Sequence, residues 1–489
     1  MLSLIVFLPL VGVIAIALLG NSGRGVKLTA MVFHFLVLVL TVYLWANFDF
    51  SQSGIQFLEQ QTWVREFGIT YTLGVDGISL PMLLLTSILF ALTAVYSWGV
   101  KSRVKEFYPL MLLLQVGITG VFVSFDLFLF FVFWELVLIP MYFIIAVWGG
   151  PAKEHAATKF ILYTHVGSLV MLLMFIAIAL EAAPRLGGLT FNMLELGPVA
   201  HSFSMIFQLV VFGALLFSFG VKMPLVPLHT WLPAAHVEAP TEGSIILAAL
   251  LLKMGAYGLI RIALGLLPGG AEAYASFMAL IAVVTILYGS LICVAQRDLK
   301  RMIAFSSVGH MGMVLLGVST LSDVGIAGGV YQMFAHGLTT AALFMMAGSI
   351  HHSTGTRIIQ RLGGISARMP RGAFALTSAC LAGAALPGMA LFVSEFTVFL
   401  AAFRTFNLWM VIPALTIVIT AGYFLWALQR AIFGPYNESL GEIKDLHAHE
   451  FIPLGTLAVL LIIFGVFPFM MMDALSVTSA HLAAFIGGI

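Results

Sequence analysis

The sequence predicts an all-α polytopic membrane protein with about fourteen transmembrane helices, some of them discontinuous. Of its 489 residues, 61% are hydrophobic and 9% are charged, and the mean hydropathy is +1.09. Soluble domains carry about 25% charged residues, so a soluble fold is excluded. The apolar stretches are continuous rather than alternating, which favours helices over a β-barrel, the other form that satisfies backbone groups in lipid.

Apolar runs of roughly 17–25 residues mark the individual spans. The predicted helices begin near residues 2, 27, 79, 108, 127, 156, 205, 242, 274, 298, 324, 372, 408 and 450. A minimal turn at Ser124–Asp126 joins the span near 108 to the next one. The first span lacks the positive leader and the small-residue cleavage site of a signal peptide, so we expect it to be retained.

Lysine and arginine predict the orientation of these spans. Most of the 22 basic residues follow odd-numbered spans. Because cytoplasmic loops hold the excess of Lys and Arg, both termini are expected on the non-cytoplasmic side. Representative basic residues of six such loops are Arg24, Lys101, Lys153, Arg297, Arg357 and Arg430.

One extramembrane segment is substantial, residues 48–78 on the non-cytoplasmic side. Its ITYTLGVDG stretch alternates polar and apolar residues before a glycine, which predicts a short β-hairpin. The loop 181–204 contains several Gly and Pro residues and is predicted to be irregular.

Proline and glycine interrupt two predicted spans. Pro224, Pro227 and Pro233 lie in and after one, and Pro387–Gly388 lies in another. A proline removes a backbone hydrogen bond and clashes with the preceding turn, so both helices should be broken. The helix near residue 336 is a third candidate for an irregularity because it contains Gly328, Gly329 and Gly337.

A faint internal repeat agrees with these breaks. The segment YTHVGSLVMLLM around His165 resembles FAHGLTTAALFM around His336. Five helices per unit is an odd number, so the second copy would be inverted, as in many transporters. The predicted parts are an N-terminal three-helix segment, two five-helix repeats and a C-terminal helix, at residues 1–107, 108–267, 274–434 and 435–489.

Four charged residues lie inside otherwise apolar spans: Glu135, Lys222, Lys253 and Glu395. A charge at the bilayer centre costs about 2.5–3.5 kcal/mol on insertion scales, so such groups face a bundle interior or a water-filled path. Two acids and two amines at this depth indicate a route for protons or cations. A purely structural scaffold does not account for them.

Each of these charged residues has a functional interpretation and a structural alternative. Glu135 and Lys222 are predicted to pair as a switch, since buried ion pairs add little net stability; the alternative is a neutral Glu135 held by a hydrogen bond. Lys253 is predicted to exchange protons, the alternative being an amine that snorkels to the interface. Glu395 is predicted to be a terminal proton donor or acceptor, with pairing to Arg404 as the alternative.

Histidines extend this set, because an imidazole near hydroxyl groups can relay protons. His165, His310 and His336 lie at or near mid-span, where a satisfied core histidine is the alternative. His229 and His236 follow the proline break, where structural capping is the alternative. Two loop-side pairs lack the spacing of metal ligands, so no metal site is expected at His351–His352 or at His447 and His449.

The sequence carries no recognisable redox motif. Cys293 and Cys380 lie in apolar runs without CxxC or Cys–His spacing. There is no phosphate-cradling glycine loop, flavin fingerprint or basic nucleic-acid patch. We therefore expect no cofactor in this chain and no nucleic-acid partner, and the driving energy must come from another subunit or from an ion gradient.

Five segments together resemble the antiporter-like membrane subunits of respiratory complex I. They are VLIPMYFIIAVWGG, AATKFILYTHVGSLVMLL, VKMPLVPLHTWLPAAHVEAPTEGSIILAALLLKMGAYGLIR, DLKRMIAFSSVGHMGMVLLG and MFAHGLTTAALFMMAG. The resemblance extends from about residue 70 to 435. Within this group the chain resembles the M-type subunit, the counterpart of mitochondrial subunit 4. The discriminating residue is Glu395 in LFVSEF, because the L and N types usually carry lysine at that position.

The resemblance implies a role for each buried charge. Glu135 and Lys222 would be the coupling pair, Lys253 the central relay and Glu395 the distal site. Three histidines would join the hydrated axis between them, His229, His310 and His336. The chain departs from the family at Ala234 in LPAAH, where LPDAH is frequent, so a carboxylate role there would need Glu238 or Glu242 as a substitute.

The resemblance also implies a proton-translocating NADH:quinone oxidoreductase, driven by quinone reduction elsewhere in the complex. Flavin, iron–sulfur clusters and quinone are expected in partner subunits, which are L-, N- and K-type membrane neighbours and a peripheral redox arm. The expected location is a bacterial inner membrane or an equivalent energy-transducing membrane. The alternatives are a subunit of a multi-subunit cation/proton antiporter and a membrane subunit of an ion-pumping hydrogenase.

Overall fold

A computed structural model describes residues 1–19 and 22–488, and helices form most of this part of the chain. The first ten helices are α1 (Leu2–Leu18), α2 (Gly23–Ala46), α3 (Ser79–Tyr96), α4 (Val104–Val123), α5 (Leu127–Trp148), α6 (Lys153–Leu186), α7 (Met193–Leu196), α8 (Met205–Lys222), α9 (Trp231–Glu238) and α10 (Thr241–Ile246). They are followed by α11 (Leu252–Gly258), α12 (Pro268–Val294), α13 (Leu299–Ser319), α14 (Asp323–Thr354), α15 (Pro370–Gly383), α16 (Ala390–Phe406), α17 (Val411–Ala414), α18 (Thr416–Ala431), α19 (Ala448–Val466) and α20 (Phe469–Ile486).

Thirteen helical segments of residues 1–19 and 22–488 are long and apolar enough to cross a membrane, and α1 is a shorter apolar helix. Two of these segments are compound: Thr241–Leu264 includes α10 and α11, and Ala390–Ala431 includes α16, α17 and α18. The predicted all-α polytopic class is confirmed. The predicted C-terminal segment holds two helices, because the chain turns between α19 and α20 at Pro468, which lacks a backbone N–H.

The predicted hairpin is present outside the helices. Strands β1 (Gln56–Val64) and β2 (Ile69–Val75) pair antiparallel, and Gly68 between them has a φ of 63°. A Cβ at Gly68 would lie 1.8 Å from the Leu189 carbonyl oxygen, so this turn needs glycine for its conformation and for its contact. Asp126, which caps α5, accepts a hydrogen bond from the Thr70 backbone at 2.9 Å and joins the hairpin to the helices.

Both predicted helix breaks are present. The first lies between α8, which ends at Lys222, and α9, which begins at Trp231. The second lies between α15, which ends at Gly383, and α16, which begins at Ala390. Pro224, Pro227 and Pro387 stand in the intervening segments, where backbone groups leave the helical pattern, whereas Pro233 lies in the first turn of α9.

The third irregularity lies in a different helix from the one expected. α14 runs unbroken from Asp323 to Thr354, so the expectation of a break near residue 336 was wrong. Its glycines serve close packing instead: a Cβ at Gly337 would lie 3.1 Å from the Ala249 carbonyl oxygen. The irregular helix is the span that carries Lys253, where α10 and α11 alternate with π-helical turns at Leu247–Leu251 and Leu259–Leu264.

A central group of helices is shielded from the lipid by the others. Along α14 every residue from Gly325 to Ile350 is buried, and along α13 nearly every residue is buried. α12, α14 and α16 pack against α13, while α3, α10, α16, α19 and α20 pack against α14. Polar side chains on α13 and α14 therefore lie inside protein, as required of ionisable groups at membrane depth.

The contact between α12 and α13 depends on small residues, and one substitution tests it. A Cβ at Gly289 would lie 2.6 Å from the backbone nitrogen of Gly309. We expect Gly289→Ala to destabilise the protein by about 1–3 kcal/mol, because the two backbones must move apart. The thermal unfolding midpoint of the purified assembly and its yield on a native gel measure this effect.

The matched control is Gly455→Ala on α19, where no atom lies within 4 Å of the added Cβ. This change should be neutral or stabilising by about 0.4–1 kcal/mol, since alanine restricts the unfolded chain. Equal unfolding midpoints for the two variants would contradict the packing argument.

Candidate functional site

Glu135, in the middle of α5, contacts an imidazole on the neighbouring helix α6. Its Oε2 atom lies 3.0 Å from Nδ1 of His165. The glutamate side chain is 24% exposed and the histidine side chain 49% exposed on this isolated chain. The other carboxylate oxygen, Oε1, is buried and has no hydrogen-bond partner among the described residues. One oxygen of Glu135 is therefore engaged and the other is free.

Lys222 is the last residue of α8 and is buried directly before the helix break. Its Nζ atom has no hydrogen-bond partner among the described residues. It lies 5.1 Å from the ring centre of Trp134 and 5.9 Å from that of Phe160. Aromatic faces attract a cation, and the C-terminal end of a helix favours positive charge, so this position tolerates an ammonium without an ion pair.

Glu135 and Lys222 do not form the predicted ion pair by direct contact. Among the described residues, the basic group that lies within 4.0 Å of the Glu135 carboxylate is the His165 imidazole. The amine lies over the ring of Trp134, the residue next to Glu135 on α5, so the two charged groups lie in the same region. The sequence located both charges correctly but could not show that a histidine on the adjacent helix competes for the carboxylate.

Lys253 lies in α11, between the two π-helical turns, and is completely buried. Its Nζ atom donates a hydrogen bond of 2.6 Å to the Ala248 carbonyl oxygen. The same atom lies 2.7 Å from Nδ1 of His336 on α14. π-helical turns are rare and recur at functional sites, because they redirect backbone groups. Snorkelling of this amine to an interface is excluded by these contacts.

His336 continues the line toward Glu395. The ring centres of His336 and His310 lie 5.1 Å apart, and Nδ1 of His310 lies 3.2 Å from Oε1 of Glu395. All three side chains are buried. The alternative partner of Glu395, Arg404, forms no ion pair with it in the described structure. The order Lys253, His336, His310, Glu395 is thus a line of adjacent titratable groups across α11, α14, α13 and α16.

Lys222 and Lys253 are connected through the packing of their helices. A Cβ at Gly255 would lie 3.2 Å from Cβ of Lys222 and 2.8 Å from the backbone nitrogen of Met223. Gly255 stands two residues after Lys253, so the end of α8 rests directly on the helix of the second lysine. The two amines therefore belong to one contiguous buried region.

The structure places His229 beside a cavity. It follows the break after α8, and its ring centre lies 4.8 Å from that of Tyr288. It lines a cavity of about 410 Å³ together with Lys159, Glu238 and Arg301. His310 and His336 lie between Lys253 and Glu395, whereas His229 lies at an opening on the face that carries most basic residues.

Two further groups extend the site, His236 and Lys300. Both ring nitrogens of His236 are buried without a hydrogen-bond partner in the described chain, and its ring stacks on Phe344 at 4.5 Å. The Lys300 amine donates to the Ala239 carbonyl oxygen at the base of a second cavity of about 360 Å³. Acidic and imidazole side chains line this cavity: Glu238, Glu242, His351, His352, His449 and Glu450.

Only part of this extension can be predicted from the sequence. His236 was a candidate relay, and Glu242 a candidate substitute for the missing carboxylate at Ala234. Lys300 stands beside Arg301 near the start of a predicted span, so by sequence alone it resembles the basic residues of the loops. Its position in the first turn of α13, a helix buried on all sides, is the signal that separates it from the loop residues.

Comparisons with known proteins identify the family of this chain. Residues 124–420 match the family described as NADH:quinone oxidoreductase/Mrp antiporter, TM. The chain belongs to this family. F(420)H(2) dehydrogenase subunit M of Methanosarcina mazei is 41% identical over 453 residues, which cover 92% of this chain and 91% of that relative. NADH-quinone oxidoreductase subunit M of Rhodobacter capsulatus is 40% identical over 498 residues, covering 99% and 96%.

Solved structures agree with the family assignment. A chain of respiratory complex I from Thermus thermophilus with bound NADH superposes with a TM-score of 0.90 at 30% identity, and the superposition covers both chains completely. A chain of the Mrp complex from Dietzia sp. gives a TM-score of 0.86 at 20% identity, covering 99% and 97%, and shares the fold. The protein is thus an antiporter-like subunit of the M type, the class that the sequence resemblance predicted.

The different surroundings of the two buried lysines lead to a stability prediction. Lys222→Met removes a buried amine without a hydrogen bond and should leave the unfolding midpoint unchanged or raise it. Lys253→Met leaves the Ala248 carbonyl and His336 without their partner and should cost about 1–3 kcal/mol. Thermal unfolding of the two purified assemblies, compared with the parent protein, provides the measurement. A larger loss in Lys222→Met than in Lys253→Met would show that the contacts of the two amines are assigned wrongly.

Proposed function

We propose that this chain is a proton-translocating subunit, without redox chemistry of its own, in a complex I-type NADH:quinone oxidoreductase. The observation that carries the proposal is the line of adjacent groups from Lys253 through His336 and His310 to Glu395. Each member can hold or release a proton, and each lies within short reach of the next. Such a line suits proton transfer along the membrane plane. Transfer also requires a group at one end of the line whose charge changes during the cycle.

The charge change is assigned to Glu135 and Lys222. When the Glu135 carboxylate approaches the amine, the ammonium is stabilised; when it withdraws, the amine releases its proton toward Lys253. The packing of Lys222 against Gly255 supports this direction of transfer. Water between the two amines would carry the proton, since the side chains themselves are not in hydrogen-bond contact.

Protons would enter from the face that carries Lys101 and Arg357. The cavity above Lys300 opens on that face, and Glu242 lies buried in its wall. From there the next group on the proposed path to Lys253 is His236, which is buried and without a hydrogen-bond partner among the described residues. Glu242 and His236 are thus proposed as the first acceptors, and His229 as a member of the neighbouring opening. By the positive-inside rule this face is cytoplasmic, which puts both termini on the opposite side.

The energy is proposed to come from quinone reduction in partner subunits that carry flavin and iron–sulfur clusters. The relatives are named as subunits of NADH-quinone and F(420)H(2) dehydrogenases, so the donor is set by those partners rather than by this chain. L-, N- and K-type neighbours and a peripheral arm complete the proposed assembly in an energy-transducing membrane such as the bacterial inner membrane. Because a chain of the Mrp complex shares this fold, the alternative function is that of a cation/proton antiporter subunit.

Substitutions of Lys253 and Glu395, the two ends of the line of titratable groups, test the proton route. We expect Lys253→Met and Glu395→Gln to lower the pumping rate of the assembled complex by about 10²-fold or more, because each removes a proton acceptor from the route. Proton uptake into proteoliposomes during quinone reduction is the measurement. Lys444→Met, on an exposed connection that lines neither cavity, is the matched control and should pump as the parent does. Normal pumping by both line variants would rule out the proposed route.

The composition of the assembly separates the two functions. A mild-detergent purification through a tag on this chain should recover partners that absorb as flavin and iron–sulfur proteins. Mass spectrometry of the eluate identifies them. Recovery of small hydrophobic subunits alone, with no chromophore, would favour the cation/proton antiporter instead.

A further inference from the structure

The proposed cycle assigns no role to the contact between Glu135 and His165. This contact joins α5 to α6 at membrane depth, with Oε2 and Nδ1 3.0 Å apart. An imidazole N–H donates to a carboxylate, so His165 holds one oxygen of the residue assigned to the switch. This places a second candidate partner beside Glu135, in competition with the amine of Lys222.

The free groups lie on the inner side of this contact. Oε1 of Glu135 is buried without a partner in the described chain, and so is Nζ of Lys222. Lys222 stands over Trp134, the neighbour of Glu135 on α5, and over Phe160, on the helix of His165. The amine is therefore bracketed by side chains of the same two helices that form the Glu135–His165 contact.

The backbones around these groups are fixed. The indole of Trp134 donates a hydrogen bond of 3.0 Å to Ser168, which joins α5 to α6 three residues after His165. The Ser218 hydroxyl donates a bond of 2.6 Å to the Gly167 carbonyl oxygen, which joins α8 to the same turn four residues before Lys222. Because these hydrogen bonds anchor all three helices at one level, we assign the change of partner to rotation of the Glu135 and Lys222 side chains.

We propose that His165 is a positioning residue that withholds the Glu135 carboxylate from Lys222, and that Glu135 alternates between these two partners. The inference rests on the proposed function, because it assigns the open state of the switch to a specific contact. In the structure described here the carboxylate is with His165 and the amine is unpaired. In the other state Glu135 forms an ion pair with Lys222, and His165 loses its acceptor.

Without His165 the carboxylate has one strong partner left, so the ion pair with Lys222 should persist and the amine should release its proton slowly. His165→Leu is therefore expected to lower the pumping rate of the assembled complex about three- to tenfold, within the range of coupling between contacting residues. His165→Asn should restore at least half of the rate, because its amide N–H can replace the donor at Nδ1. His201→Leu, on an exposed segment remote from this contact, is the control and should pump normally.

A double variant shows whether His165 acts through Glu135. Glu135→Gln by itself should pump poorly, and adding His165→Leu should lower the rate no further, since the partner of the histidine is already changed. Parent-like pumping by His165→Leu, a failure of His165→Asn to restore the rate, or independent losses that multiply in the double variant would each overturn the role of His165 while the proposed function stands. Normal pumping by Glu135→Gln would overturn the switch assigned to Glu135 and Lys222 and the role of His165 with it, whereas the proton route itself is overturned only by normal pumping of Lys253→Met and Glu395→Gln.

Discussion

An amine at membrane depth needs polar partners inside the protein, and the surroundings of Lys253 are arranged to supply them. Its amine donates to the Ala248 carbonyl and meets Nδ1 of His336. The carbonyl lies in a π-helical turn, and the histidine lies on a helix that is buried along nearly its whole length. Gly337 allows that helix to approach Ala249, so a missing side chain on α14 is what brings the imidazole within reach of the amine.

The helix breaks place the other two charges of the central region. Lys222 occupies the C-terminal end of α8, where the helix dipole favours a cation and where the chain leaves the helical pattern. Glu395 stands shortly after the start of α16, beyond the Pro387–Gly388 interruption, within reach of His310. Discontinuous helices are tolerated at membrane depth only when their free backbone groups are buried in protein or face water, which is the condition in this bundle.

The buried charges divide into two parts with different connectivity. From Lys253 to Glu395 neighbouring side chains are in contact or nearly so, whereas Lys222 has no hydrogen-bonded partner among residues 1–19 and 22–488. A continuous line conducts a charge once it arrives, and an unpaired amine responds strongly to a carboxylate that moves nearby. In the proposed cycle the unpaired amine is therefore the place where an external event acts, and the inferred role of His165 is to set the position of Glu135.

The sequence by itself determined the membrane class, the hairpin, both helix breaks, the family and the four charges at membrane depth. The family follows from the resemblance of five sequence segments, and the other features follow from local properties: apolar run length, alternation, proline chemistry and the cost of a charge in hydrocarbon. The division into two inverted repeats stays a prediction. Only the tertiary structure decided that Glu135 contacts His165, that His229 lines an opening, that Lys300 is buried, and that α14 is straight while the Lys253 helix is irregular. These outcomes depend on which side chains face one another across different helices, and spacing along one chain does not contain that information.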